Sequence, residues 1–255
     1  MKKKNSILIS KVVAIVAILL LIPACNDFQS AGIVTDNDGN VYQTVVIGTQ
    51  TWMRENLKTT KYNDGTEIPL ITNDSSWKTM KTPAYCWYNN DTKYKKTYGA
   101  LYNWFTIHTG KLAPVGWHVA SKDEWKILSD YLTAKPGKSE NAGSALASSG
   151  DWTVTDIQVN PYSYTEKDIS PVGNAKNKNN SSGFNAQPSG YRYTMSGSNT
   201  TFKDLGKTTM WWCSDSGLGE SNAMVSYIGL TYVSSGFGAS VDYSTNGCSV
   251  RCIKD

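Results

Sequence analysis

Residues 116–125 read GWHVASKDEW and set His118 within six positions of Ser121, Asp123 and Glu124. An imidazole close to a hydroxyl and carboxylates is the raw material of proton transfer and nucleophile activation. The spacing also has a second reading. Ser121 and Glu124 form S-x-x-E, a capping box in which the serine oxygen accepts from the amide three residues on and the glutamate reaches back to the serine amide. Asp123 then falls in the first turn, where the helix dipole favours a negative charge. On that reading Ser121 and Glu124 already have a structural task. His118, flanked by Trp117 and Val119 in an incoming strand, is a packing or hydrogen-bonding residue. The chain has only 2 histidines, with no second one at ligand spacing, so no metal is expected.

The segment DNDGN poses a second chemical question, because Asp36, Asp38 and Asn40 alternate as calcium ligands do. An EF-hand loop needs glycine at its sixth position and glutamate at its twelfth, whereas Gly39 is fourth here and Ile47 twelfth. Apolar runs on both sides make DNDGN a hairpin turn instead. No HExxH, Walker loop, Ser-His-Asp order or paired-carboxylate arrangement is present, so the expectation is a protein that is not an enzyme and takes no cofactor.

The elements that position these residues follow from periodicity. After the hairpin and a second turn at YNDGT, PAYCWYNN reads as a short strand. YGALYNWFTIHTG places Leu101, Trp104, Phe105 and His108 on one face of a helix ended by Gly110. A second helix starts at Ser121, buries Trp125, Leu128 and Leu132, and ends at Lys135-Pro136-Gly137. Residues 142–183, rich in Gly, Ser, Asn and Lys, read as long surface loops. GFNAQPSGYRY, TMWWCSD, AMVSYIGLTYV and CSVRCIKD read as late strands. Helices early and strands late argue for an α+β fold with segregated elements.

The first 24 residues stand apart. Lys2, Lys3, Lys4 and Lys11 precede a continuous apolar run too short to span a bilayer, which marks an export signal. LIPAC resembles the bacterial lipoprotein signal, in which the cysteine, here Cys25, becomes the lipidated N-terminus. The domains expected are a signal over 1–24, a tether over 25–35 and a folded domain over 36–255. The whole chain has 25 Lys+Arg and 21 Asp+Glu; without the four leader lysines the two counts are equal. A neutral mature chain gives no reason to expect nucleic acid as a partner.

Setting Cys25 aside leaves Cys86, Cys213, Cys248 and Cys252, an even number in an exported chain, which suggests two disulfides with three possible connectivities. Cys248 and Cys252 lie four apart in an extended segment, too distant to bond each other. The pairing expected is Cys213 with Cys248 and Cys86 with Cys252, with buried free thiols as the alternative. Reduction is then expected to lower the melting temperature without abolishing the fold.

The strings DGNVYQTVVIGTQTWMRENLKTTKYNDGTEIP, YCWYNND, YGALYNW, GWHVASKDEW, SSGFNAQPSGYR, WWCSD and SVRC resemble, in this order, the Fibrobacter succinogenes major paralogous domain family. The resemblance spans about residues 36–255. It implies an exported, often lipid-anchored protein of the kind common in Bacteroidetes. It also implies a C-type-lectin-like fold related to formylglycine-generating-enzyme-like domains, with two helices packed on small twisted antiparallel sheets and long loops on one side. Family members commonly carry Cys where Ala113 stands, and Ser and Phe where Cys213 and Cys248 stand, a pattern that a relocated Cys213–Cys248 disulfide would produce. In C-type-lectin-like proteins the late strands and long loops build the ligand surface, which implicates Tyr191, Arg192, Trp211, Trp212, Asp215 and Tyr227. Adjacent strand residues face opposite ways, so at least one of Trp211 and Trp212 is expected to be buried. QPSG at 187–190 lacks the acidic residue that calcium-dependent sugar binding uses. Three functions remain open. The first is a lipid-anchored binding module in the outer membrane, its surface display left open, for a glycan or surface protein. The second is a structural or fimbria-associated component, and the third a formylglycine-generating-enzyme-like copper enzyme.

Overall fold

A computed structural model gives the structure over residues 29–134, 142–154, 172–173, 179–194, 200–215, 224–234 and 236–255. The export signal, Cys25, the Lys135-Pro136-Gly137 helix stop and most of the long-loop region lie outside the described residues.

The DNDGN turn joins β1 (Gln29–Thr35) to β2 (Val41–Ile47) as an antiparallel hairpin. Asp36 organises it: one carboxylate oxygen accepts from the amides of Asp38 and Asn40 at 3.0 and 2.9 Å, and the other from the Tyr42 hydroxyl at 2.6 Å. Gly39 supplies the left-handed residue of the turn, with φ +78°. Asp38 turns the other way and accepts from the Thr60 amide. These carboxylates are thus occupied by protein donors, as a turn requires. Because β1 begins at Gln29, the second part of the expected tether belongs to the sheet.

β3 (Gln50–Met53) continues the meander, and the C-terminal strand β12 (Cys252–Lys254) inserts between β3 and β6 (Trp117–Val119), giving the order β1-β2-β3-β12-β6. β4 (Tyr85–Cys86) and β5 (Leu101–Tyr102) form a small second ladder. The late half folds into a second five-stranded sheet, β11-β10-β9-β7-β8. Its strands are β7 (Ser189–Tyr193), β8 (Thr201–Leu205), β9 (Thr208–Trp212), β10 (Met224–Thr231) and β11 (Phe237–Tyr243). Pairing is antiparallel throughout except between β7 and β9. The protein is therefore α+β, with antiparallel sheets predominating.

Among the described residues five α-helical segments decorate the sheets: α1 (Asp74–Thr79), α2 (Lys95–Tyr98), α3 (Trp104–His108), α4 (Lys122–Ala134) and α5 (Ala142–Leu146). Only α4 is long, and it buries Trp125, Leu128 and Leu132 as its spacing predicts. The other helix expected from sequence is shorter and differently placed. Asn103 caps its start by accepting from the Thr106 amide, so Leu101 lies in β5, and the buried face is Trp104, Thr106 and Ile107. His108 is exposed and stacks on Trp104 at 4.6 Å.

Strand alternation divides the interior into two cores. Met53, Val119, Trp212, Val225 and Cys252 enter one, while Trp52, Ala120, Trp211, Ile228 and Ile253 enter the other. Each pair of neighbours on β3, β9 and β12 splits between them, so these strands are covered on both faces. The segment leading into β12 is the spine of the arrangement. Gly247 exchanges backbone hydrogen bonds with Arg192, Cys248 with Tyr102, and Ser249 bonds to Met210 and Trp212. It thus joins the late sheet to the small ladder.

The four described cysteines correct the disulfide expectation: all are free and buried. Cys213 lies in the second core and Cys248 and Cys252 in the first, while Cys86 sits in a smaller cluster with Trp77 and Leu101. Each expected pair is split between clusters. Their spacing was that of an exported scaffold, yet each thiol serves as a small apolar side chain. Burial pushes the thiols of Cys86, Cys213 and Cys252 up to about 12 and Cys248 well above its ordinary value. A reductant should therefore leave the melting temperature unchanged. Iodoacetamide should label these four cysteines only in denaturant, and mass spectrometry of native and unfolded samples reads both results.

Candidate ligand-binding surface

The six residues that the resemblance assigns to ligand binding do not form one surface. Trp211 and Trp212 are both 0% exposed. The Trp211 indole donates to Asn56 Oδ1 at 2.9 Å, and the Trp212 indole to the Tyr102 carbonyl at 2.7 Å. Sequence alternation foresaw one buried indole; both are buried because β9 has a core on each side. Arg192 is also 0% exposed. Its guanidinium donates to the carbonyls of Ile71 and Thr72, pairs with Asp74 at 2.6 Å and lies over Trp77 at 4.4 Å. The Thr200 hydroxyl, with Arg192 adding to it, holds the Asp74 carboxyl below its ordinary range. These three residues are scaffold.

Asp215 is exposed but is used locally, accepting from the Lys122 amide at the start of α4 at 2.9 Å. Tyr191 and Tyr227 keep part of their side chains at the surface. They are half-buried and pack, with Met210, against the first core. Burial, with Asp204 and Asp242 nearby, pushes the Tyr191 phenol above its ordinary value.

The residues of GWHVASKDEW do come together. Ser121 and Glu124 make the capping box: Glu124 Oε2 accepts from the Ser121 amide and hydroxyl, both at 2.8 Å, and Ser121 Oγ accepts from the Glu124 amide at 3.3 Å. The sequence did not show that Glu124 has a second task. Its Oε1 lies 2.7 Å from His118 Nε2, while His118 Nδ1 lies 2.6 Å from Asp255 Oδ1. An imidazole with a carboxylate at each nitrogen is best satisfied as the cation, donating from both. Partial burial lowers its proton affinity, but the two carboxylates together outweigh that and raise it. Burial disfavours the Glu124 carboxylate, and the Ser121 amide with His118 overcomes this to lower its value.

The sign of the resulting stability is fixed by these directions. The His118 contribution is complete below its ordinary 6.5 and is lost as pH rises through the raised folded value. The Glu124 contribution is complete above its ordinary 4.5 and is lost as pH falls through the lowered folded value. The bridge should therefore stabilise most between these two ordinary values. Calorimetry of the wild type and His118→Gln should show the largest gap in melting temperature near pH 5.5, closing toward pH 9. Parallel curves would refute the bridge.

A groove that a ligand could enter lies elsewhere. α4 packs across β10 and leaves a groove of about 380 Å³ between itself and β11. Lys122, Asp123, Lys126 and Ser129 form the helix wall, Trp125 and Ile228 the floor, and Phe237, Gly238 and Ala239 the strand wall. Trp125 was legible only as a core residue of α4. The strand wall was not read at all, because FGASVDY carries small residues that look like a loop. Among the described residues, no group of three or more His, Cys, Asp or Glu side chains stands where it could hold a metal ion.

No curated protein and no solved structure matches the chain. One family model does, that of the Fibrobacter succinogenes major domain, over residues 45–254. The match takes in the second core, the spine segment, α4 and both walls of the groove. The chain therefore belongs to the Fibrobacter succinogenes major domain family.

Proposed function

We propose that the protein is a non-catalytic, lipid-anchored component of the cell envelope, attached to the outer membrane through Cys25, whose C-type-lectin-like domain presents a binding surface to a glycan or protein ligand. The observation that carries this reading is the groove between α4 and β11. It combines an aromatic and apolar floor with a polar rim, the usual make-up of a ligand site, and its side chains are not tied into the hydrogen-bond networks that occupy Arg192, Trp211 and His118. One long helix against two small antiparallel sheets is compatible with the lectin-like scaffold. The copper-enzyme reading needs thiols gathered at a reactive site, and the described cysteines are deeply buried with raised proton affinity.

The reading is tested on full chain extracted in detergent from its native membrane. A lipid-sized mass increment on a chain starting at Cys25 is expected, and a chain of unmodified mass would remove the anchor. On an array of glycans and candidate surface proteins, binding that Phe237→Ala abolishes supports the groove. Binding indifferent to Phe237→Ala but lost in Tyr191→Ala would move the site to the Tyr191–Tyr227 face.

A further inference from the structure

We infer that β11 is a docking edge: an extended segment of a partner protein, carrying an acidic side chain, adds to it as a sixth strand and lays alternate side chains into the groove beside α4. This rests on the reading of the domain as a binding module and names its ligand class.

The first observation is the edge itself. β11 pairs with β10 in unbroken register from Phe237↔Leu230 to Tyr243↔Met224. Among the described residues no strand pairs with its other side, which leaves a row of amides and carbonyls facing outward. Natural edge strands are blunted by bulges, prolines or charges, above all lysine. Two other edges, β1 and β8, show such features. β1 has a register break between Ser30 and Gly32, and β8 carries Lys203 and a left-handed Asp204 at φ +58°. β11, FGASVDY, has no bulge, proline or lysine and a single charge, Asp242.

The second observation is what lies beside the edge. The register sets Phe237, Ala239, Val241 and Tyr243 on one face with Leu230, Ile228, Ser226 and Met224. That face starts in the groove and continues into exposed Val241, Tyr243 and Met224, which are 51%, 39% and 46% exposed. An added strand would project every second side chain over this apolar face, the geometry by which strand addition gains specificity.

The third concerns charge and an unused donor. Lys122 and Lys126 stand on the α4 wall against one acid, Asp123. Lys126 also reaches Asp130 at 2.7 Å on the helix surface. Lys126 is thereby answered within the helix, whereas the Lys122 ammonium has no carboxylate partner among the described residues and can meet an acidic side chain of the incoming segment. Trp125, 1% exposed, contributes to the groove lining, and its Nε1 has no acceptor among the described residues. A carbonyl or carboxylate of the incoming segment would satisfy it.

The experiment is selection of a phage-displayed nine-residue peptide library on the purified full chain. The recovered peptides should alternate apolar residues and carry Asp or Glu. A synthetic copy should slow hydrogen exchange across residues 238–242. Its affinity should fall about tenfold in the exposed Lys122→Glu variant, the scale of one surface pair turned from attraction to repulsion, and vanish in Ala239→Trp, which fills the groove. Peptides that bind both variants as well as wild type, or leave β11 exchange unchanged, overturn the inference. Recovery of no peptide, with a dimer that Val241→Lys dissolves, overturns it in favour of self-pairing. Recovery of no peptide, with glycan binding that Ala239→Trp removes, overturns the strand inference and leaves the binding-module reading standing. Silence toward peptides, glycans and surface proteins alike overturns both.

Discussion

Replacing Arg251 by alanine should destabilise the protein by about 3–5 kcal/mol, the scale set by orphaning several buried acceptors at about 1–3 kcal/mol each. Arg251 is 1% exposed. One guanidinium nitrogen donates to the carbonyls of Met53 and Phe184 at 2.9 and 2.8 Å, and another to Asn56 Oδ1 at 2.9 Å. The plane lies over the Phe184 ring at 4.2 Å. Burial pulls the group down to about 9, so at neutral pH it stays cationic. Its fork ties β3, the Phe184 loop and the spine together, and alanine would remove all three bonds and leave a void. Arg251→Lys keeps the charge, but a compact ammonium cannot span acceptors spread over the guanidinium fork, so it should recover less than half of the loss. Urea unfolding with linear extrapolation measures both. A lysine variant as stable as wild type would show that charge, and not the fork, is what the site needs.

The terminal SVRC could be read as a strand but not as the spine of the fold. The spatial neighbours of Gly247, Cys248 and Ser249, which are Arg192, Tyr102 and Met210, are far away in sequence, and no local periodicity encodes such pairings. The hairpin at DNDGN, the cap at Ser121 and the buried face of α4 were legible because turn chemistry, capping and 3.6-residue spacing are local. The helix read over Leu101–His108 failed at its start, where Asn103 caps one turn later than the apolar spacing suggested. β8 and β11 went unread because they lie on edges with little to bury, and a strand with one solvated face and Gly, Ala and Ser on it has no period-2 signal.

The candidate site was less legible still. Tryptophans and arginine on late strands looked like ligand residues because aromatic and cationic side chains serve both surfaces and cores. Only the two cores and the Arg192–Asp74 pairing showed which use each had here. The residues that do line the groove, Gly238 and Ala239 above all, have no chemistry of their own to notice. What they contribute is backbone and room.

Trp211→Ala should destabilise by about 3–5 kcal/mol, the range for deleting a buried aromatic, and its effect should depend on Arg251. The Trp211 indole stacks on Trp125 at 5.1 Å and meets Phe184 edge-on at 5.9 Å. Its N–H and one Arg251 nitrogen share a single acceptor, Asn56 Oδ1, each at 2.9 Å. The Asn56 amide nitrogen is held in turn by the Tyr98 carbonyl and Ser249 hydroxyl, so the side chain cannot flip to compensate. Trp211→Phe isolates this junction, since it retains much of the aromatic packing while deleting the N–H. Combined with Arg251→Lys in a double-mutant cycle, it should show an interaction of about 0.5–3 kcal/mol, as residues of one hydrogen-bond network do. Additive losses would mean that the two donors are held independently and that Asn56 is a bystander. A coupled result bears on function as well. A Trp211 or Trp212 variant that loses ligand binding would then report a loosened scaffold, so the groove has to be probed from its exposed walls.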